Sequence, residues 1–172
     1  MAVLPILVAP HPVLKRKAQP VAAVDARVAK LMDDMVETMY AANGIGLAAP
    51  QVGVLDRVVV VDVHERDEPR NPIRLANPEI VWSSEDTGPC EEGCLSVPEQ
   101  YAEVIRPLSV RVRYLDETNT ARELAADGML ATCLQHEIDH LNGVLFVDHL
   151  SLLKRNMILR KVQKQKQQKA SA

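Results

Sequence analysis

The chain has few cysteines, few aromatic residues and no long hydrophobic run. Its 172 residues include only three cysteines, Cys90, Cys94 and Cys133. Three is too few for a disulfide framework and is an odd number, so we expect reduced thiols that stay free or bind a metal. Aromatic residues make up 3% of the chain, which leaves few side chains for stacking nucleic-acid bases.

The longest apolar stretches fall short of the roughly 18 to 20 residues that cross a bilayer. The first residues, "MAVLPILVAPHP", lack a basic segment and are interrupted by Pro5 and Pro10, unlike a secretory signal. We therefore expect a soluble, untargeted protein of the cytoplasm. The length and the 47% share of hydrophobic residues predict a single domain with a substantial core.

Charge is distributed unevenly along the chain. Residues 1–150 carry 13 basic and 23 acidic side chains, whereas residues 151–172 carry no acidic ones and seven basic ones: Lys154, Arg155, Arg160, Lys161, Lys164, Lys166 and Lys169. Such a tail either meets an anionic partner, nucleic acid included, or keeps the chain soluble.

Hydrophobic periodicity predicts an amphipathic helix over 26–42, with Asp25 as its N-cap and Asn43-Gly44 after its end. The methionines of this helix are expected in the core. Short β-branched or alternating runs predict strands at 57–63 and 109–116. The chain is therefore predicted to be an α+β protein.

The second half is predicted to hold two more helices. One covers 124–141 with Gly128 as a tolerated weak point, and the other begins near Asp148 with Leu150, Leu153 and Met157 on one face. The segments 64–79 and 83–93 are rich in Pro, Asp, Glu and Gly and are predicted to be loops.

The stretch "QHEIDH", residues 135–140, has the spacing of a metal site. On a helix, His136 and His140 lie on one face, and Glu137 points about 100° away from His136, toward a ligand beside the metal. The alternative is a pair of packed or surface histidines. Cys133 lies about 10 Å along the axis from His140, too far to join both histidines, and is expected in the wall of the site or in the core.

A third ligand has to come from elsewhere in the chain. Cys90 and Cys94 both lie in "CEEGCLSVP", residues 90–98, which is predicted to be an irregular loop, and the residues alone do not choose between them. A Cys-His-His set would suit Fe(II) as well as Zn(II).

The segment "NGIGLAAPQVG", residues 43–53, is rich in glycine and small residues. Gly44 and Gly46 allow the backbone to approach a ligand closely, and Gln51 offers an amide donor. It is not a phosphate loop, because no Gly-Lys-Ser/Thr follows. Taken alone, it also fits a plain connection between a helix and a strand.

Together and in this order, "GIGLAAPQ", "EGCLS" and "QHEIDHLNG" resemble the peptide deformylases, which remove the N-formyl group from newly made polypeptides. The resemblance covers roughly residues 3–165. It implies short antiparallel or mixed sheets packed around a central metal-binding helix. It also implies a catalytic region over 1–150 that continues, within the same domain, into a basic C-terminal helix and tail over 151–172.

The resemblance also implies a role for each motif residue. Cys94, His136 and His140 would be the metal ligands, and Glu137 the catalytic carboxylate. Those roles are completed by Gln51 and the backbone N–H of Leu95, which would hold the substrate carbonyl oxygen, and by Gly46, which would contact the substrate through its backbone. Fe(II) would be the native metal, with Zn, Ni or Co as substitutes.

The implied chemistry is amide hydrolysis. A metal-bound water of lowered pKa attacks the formyl carbon, and Glu137 first takes a proton and then delivers it to the amine. The products are formate and a peptide with a free N-terminal methionine. An apolar pocket for that methionine is predicted from Ile45, Met129 and Cys133.

Two other functions fit parts of the sequence. A peptidase that cuts internal bonds would share the His-Glu-x-x-His motif but commonly adds a carboxylate or a third histidine. A noncatalytic zinc module that binds RNA through the basic tail would need a closed site of four ligands. The family resemblance instead implies that the basic C-terminal helix docks on the ribosome.

Overall fold

The computed structural model describes residues 2–171, with side chains up to residue 169. Its helices are α1 (Ala26–Ala41), α2 (Gly128–Leu141) and α3 (Leu152–Ser171). Its strands are β1 (Gly46–Ala48), β2 (Val58–Val61), β3 (Ile73–Ser83), β4 (Thr87–Cys94), β5 (Val97–Pro107), β6 (Ser109–Leu115) and β7 (Ala121–Asp127). Single 3-10 turns lie at Pro12–Lys15, Ala49–Val52 and Phe146–His149. The α+β class is confirmed.

The strands form two antiparallel sheets. One has five strands in the order β1-β2-β3-β6-β7, and the other is the hairpin β4-β5. Helix α1 covers one face of the five-stranded sheet and α2 the other. The hairpin, the turn at Phe146–His149 and α3 enclose a third apolar cluster. Helix α2 consequently lies at the centre of the molecule.

The central strand β2 shows how the sequence specifies this layering. All four of its valines, Val58 to Val61, are fully buried. Val58 and Val60 pack with α1, while Val59 and Val61 pack with α2, because successive strand residues point to opposite faces. A strand that is covered on both sides has to be hydrophobic throughout.

Helix α1 agrees closely with its prediction. The Asp25 side chain accepts a hydrogen bond from the Val28 N–H at 2.9 Å, which caps the first turn. Met32, Met35 and Met39 have no exposed surface. After the helix, Asn43 takes a φ of 57°, a left-handed conformation that asparagine tolerates better than most residues.

The predicted start of the metal-site helix is wrong. Residues 121–127 form β7, which pairs with β6 from Ser109 to Leu115, and α2 begins at Gly128. Gly128 has a φ of 54°, a backbone conformation that suits glycine and separates the strand from the helix. The sequence "ARELAAD" has helix-forming residues, but its pairing with β6 decides the structure.

Two predicted loops also contain strands. Segment 64–79 contains the start of β3, and 83–93 contains most of β4. The ladder between β3 and β6 is irregular from Ala76 to Glu79, where Asn77 has a φ of 50° and Pro78 has no N–H to donate. Such an irregularity lets a strand carry a proline. The stretch 90–98 is a hairpin in which Cys94 pairs with Val97.

The C-terminal helix differs from its prediction in its start and in its buried face. It begins at Leu152, after the turn at Phe146–His149. Leu153 and Met157 are 72% and 48% exposed, whereas Val162 is buried. The extended backbone of Leu150 separates the turn from the helix, so a single helical period does not hold across both. Among the helices of residues 2–171, none is long and apolar enough to cross a membrane.

Candidate metal centre

Helix α2 and the end of β4 bring three potential ligands together. The Sγ atom of Cys94 lies 3.3 Å from Nε2 of His140, and this nitrogen lies 3.2 Å from Nε2 of His136. One ligand atom from each side chain falls within 4.8 Å of the others. Tetrahedral coordination at bond lengths of about 2.0 to 2.3 Å requires ligand atoms about 3.3 to 3.6 Å apart. The three side chains therefore fit one metal ion.

The other two thiols stand outside this group. Cys133 is buried, and its Sγ donates to the carbonyl oxygen of Ile45 at 3.5 Å. Cys90 is half-buried, and its Sγ contacts the carbonyl oxygen of Glu91. The geometric exclusion of Cys133 is consistent with the structure, and of the two thiols that the residues left open, Cys94 is the one beside the histidines.

The pKa values of the two histidines are shifted in opposite directions. Burial opposes the charged form of His136, yet its hydrogen bond to Cys94 and the charge of Glu137 raise its pKa. Burial and the neighbouring His136 lower the pKa of His140, which favours the neutral imidazole that metals bind.

A buried ion-pair network supports the histidine side of the site. His136 Nδ1 lies 2.9 Å from Oε1 of Glu92, which leaves Nε2 facing Cys94 and His140. Arg106 donates from Nε and Nη2 to the two oxygens of Glu92, at 2.5 and 2.9 Å. All three side chains are buried.

The sequence interpretation missed Glu92 and Arg106. Two periodic signals could have indicated them: Glu92 precedes Cys94 by two residues on one strand, and Arg106 follows the inward-facing Val104 by two. Side chains two apart on a strand share a face.

Glu137 lies beside the ligands and is almost wholly buried, with 4% of its surface exposed. Its Oε1 atom has no hydrogen-bond partner among the described residues. Burial, opposed by the charge of His136, raises the pKa of Glu137 to about 7. A carboxylate with a pKa near neutrality accepts and returns protons readily.

A cavity of about 370 Å³ opens onto the site. Among its lining residues are Gly46, Gln51, Cys94, Leu95, His136 and Glu137. The Gln51 side chain is held in place because its Oε1 accepts from the Ala48 N–H at 2.9 Å and its Nε2 donates to Ser96 Oγ at 3.1 Å. The same Nε2 lies 3.5 Å from Cys94 Sγ. An amide donor therefore stands next to the candidate metal ligand.

The three residues predicted for a methionine pocket line one smaller cavity, of about 90 Å³. Ile45 and Met129 are exposed at its mouth, and Cys133 is buried inside. His136 and Glu137 line the same space. Cys90 also lines it, a position that the sequence does not indicate.

Comparisons of the sequence with known proteins find deformylases. Residues 3–156 match the family model described as polypeptide deformylase. The chain is 57% identical over 164 residues to a peptide deformylase of Phenylobacterium zucineum, with 95% of this chain and 97% of the relative covered. It is 58% identical over 167 residues to a peptide deformylase of Methylocella silvestris, with 95% and 85% covered.

Solved structures agree with these relatives. The crystal structure of peptide deformylase from Ehrlichia chaffeensis matches with a TM-score of 0.95 and 41% identity, over 98% of this chain and 99% of that one. The complex of peptide deformylase from this organism with actinonin matches with a TM-score of 0.92 and 44% identity, over 96% and 98%.

Proposed function

The chain belongs to the polypeptide deformylase family, and from that premise we propose how its residues remove the formyl group from the N-terminal formyl-methionine of nascent polypeptides. The observation that carries the proposal is the grouping of Cys94, His136 and His140 beside the buried Glu137, at the end of an open cavity. The products would be formate and a peptide with a free methionine amine.

Cys94, His136 and His140 would hold one divalent metal. A thiolate with two imidazoles suits Fe(II), the proposed native metal, and also Zn, Ni or Co in its place. When bound, such a metal supplies Lewis acidity and lowers the pKa of a coordinated water. The spacing of the three ligand atoms supports this assignment.

Glu137 would act as general base and then as general acid. Its carboxylate takes a proton from the attacking water and returns it to the departing amine. Its burial, its pKa near 7 and its unpartnered Oε1 support this role. The proton therefore passes through one side chain.

Gln51 and the backbone N–H of Leu95 would hold the carbonyl oxygen of the formyl group as it gains negative charge. The fixed amide of Gln51 beside Cys94 supports the first assignment. Leu95 follows Cys94 directly in the hairpin turn and lines the same cavity. Gly46, which lines the same cavity, would contact the peptide through its backbone.

The methionine side chain would enter the smaller cavity, between Ile45, Met129 and Cys133. The apolar side chains of Ile45 and Met129 and the sulfur atom of Cys133 suit a thioether. The cavity also adjoins Glu137, so a methionine held there would keep its formyl group close to the base.

One experiment separates deformylation from cleavage of internal peptide bonds. Metal-loaded enzyme is given a formyl-Met tripeptide, its acetyl-Met counterpart and a longer peptide with a blocked N-terminus. We expect formate from the first substrate and no product from the other two. A formyl carbon carries only hydrogen and can approach the metal ligands, whereas an acetyl group or an internal peptide bond is too bulky. Fragments of the blocked peptide without any formate would overturn the proposal.

The C-terminal helix would bring the enzyme to its substrate on the ribosome, in the cytoplasm. Arg160, Lys161 and Lys164 are exposed on α3, and phosphate backbones attract such a basic surface. Residues 1–150 would be the catalytic region and 151–172 the docking segment of one domain. Because α3 buries Val162 against the third apolar cluster, its charge should be changed without removing the helix.

A further inference from the structure

We propose that Arg106 is a positioning residue for the metal centre, which clamps the hairpin that carries Cys94 to the helix that carries His136 and His140. This inference rests on the ligand set proposed above. The three ligands come from two elements, β4 and α2, that are joined by no short stretch of chain. Something has to hold these elements in register if the ligand atoms are to stay at bonding positions.

Arg106 contacts both elements. It lies on β5, the partner of β4, and two of its nitrogens bind Glu92 of β4 in a bidentate ion pair. The third guanidinium nitrogen, Nη1, donates to Oδ2 of Asp139 on α2 at 2.9 Å. Asp139 precedes the ligand His140, and Glu92 is hydrogen-bonded to the ligand His136. The guanidinium therefore connects the immediate neighbours of both histidines.

The geometry of the network favours arginine over any other cation. Arg106 is 6% exposed, and its planar group points three donors at two carboxylates in fixed directions. A lysine ammonium carries the same charge but cannot bridge both carboxylates in this planar arrangement. Asp139 has one further partner, His149 Nε2 at 2.8 Å, which ties the turn at Phe146–His149 into the same network.

A control is available on the five-stranded sheet. Arg122 donates to Asp116 at 2.8 Å, and its side chain is 59% exposed. The hydrogen bonds and ion pairs described for Arg122 join it to Asp116 and to neither β4 nor α2. Replacing it tests the loss of an arginine ion pair in general.

The test uses Co(II) as the probe. Wild type, Arg106→Met, Arg106→Lys, Glu92→Gln and Arg122→Met are prepared metal-free and titrated with Co(II) against a competing chelator, and the visible spectrum of each complex is recorded. Far-UV circular dichroism of the metal-free proteins checks the fold. Replacing a residue that is hydrogen-bonded to a metal ligand typically lowers metal affinity by about 10- to 100-fold.

We expect Arg106→Met to weaken Co(II) binding by about that factor and to change the thiolate-to-cobalt absorption. Arg106→Lys should recover part of the affinity, and Arg122→Met should match wild type. If Arg106→Met does not fold, Arg106→Lys and Glu92→Gln take its place in the test. Co(II) affinities and spectra equal to those of wild type in both variants would overturn the inference. Failure of wild type itself to bind one Co(II) would instead contradict the ligand set.

Discussion

Gly46 lies against Glu137, with no space for a side chain between them. A Cβ atom at Gly46 would come within 2.9 Å of Cδ of Glu137 and 2.8 Å of Sγ of Cys133, closer than carbon atoms pack. Strand β1 and helix α2 therefore meet through the backbone of a glycine at the position of the proposed base. Gly46 in the cavity wall therefore packs directly against the proposed base, Glu137.

Gly46→Ala should lower kcat/KM for a formyl-Met peptide by about 100-fold, because a displacement of about 1 Å at the reacting groups has an effect of that size. Metal content should remain at one equivalent, since the atoms nearest an added Cβ belong to Glu137 and Cys133 and not to the three ligands. Formate release and metal analysis on the same preparation measure both quantities. Wild-type kcat/KM in this variant would show that the close approach has no catalytic role.

Cys94→Ser should lose metal on dialysis, whereas Cys90→Ser should keep it. Cys94 Sγ lies 3.3 Å from a histidine nitrogen, while the hydrogen bond described for the Cys90 thiol goes to the carbonyl oxygen of Glu91. Both substitutions exchange sulfur for oxygen on the same strand, so each is the control for the other. The opposite pattern of metal retention would invalidate the ligand assignment.

The parts of the fold that the sequence predicted well are local. Helix α1 has a cap, a continuous 3.6-residue period and a stop signal within one segment, and all three features agree. The histidine pair was recognisable because its spacing is a property of a single helix. Asp25, His136 and His140 could therefore be interpreted from neighbours within a few positions.

The parts that were missed depend on partners distant in sequence. Strand β4 has the composition of a loop and is a strand because β5 pairs with it along its whole length. Residues 121–127 favour a helix by propensity, but β6 pairs with them. Arg106 meets Glu92 across the hairpin and Asp139 33 residues later, and no local pattern encodes that contact.

Tyr40 should make the folded state sensitive to alkaline pH. Burial and a hydrogen bond to Asp62 raise the pKa of Tyr40 to about 12. A group with a raised folded-state pKa contributes stability that is complete below its unfolded pKa, near 10, and is lost as the pH rises toward 12. The urea midpoint should therefore fall between pH 10 and pH 11, and less steeply in Tyr40→Phe.

Ultraviolet titration checks the same residue directly. The chain has three tyrosines, and burial raises the pKa of Tyr114 as well. Comparison with Tyr40→Phe therefore identifies the step that belongs to Tyr40, which should still be protonated at pH 11 in wild type. That late step should be missing in Tyr40→Phe. Complete ionisation of all three near pH 10 in the folded wild type would contradict the proposed role of Asp62.

The docking proposal predicts a specific effect of charge on α3. Changing Arg160, Lys161 and Lys164 to Glu in the full chain should weaken ribosome binding and reduce its dependence on salt. The control changes Arg16, Lys17 and Arg66, which are also exposed, and alters net charge equally. Equal losses in both triple variants would indicate a nonspecific charge effect rather than docking by α3.

The central claim is that Glu137 transfers the proton at a Cys94–His136–His140 metal site. The most direct test is formate release from a formyl-Met peptide by wild type and Glu137→Gln, with metal content measured on both. General acid–base catalysis is worth about 100- to 10,000-fold, so the variant should hold one equivalent of metal and lose at least about 100-fold in rate. A fully metallated variant that retains more than about a tenth of the wild-type rate would contradict the account.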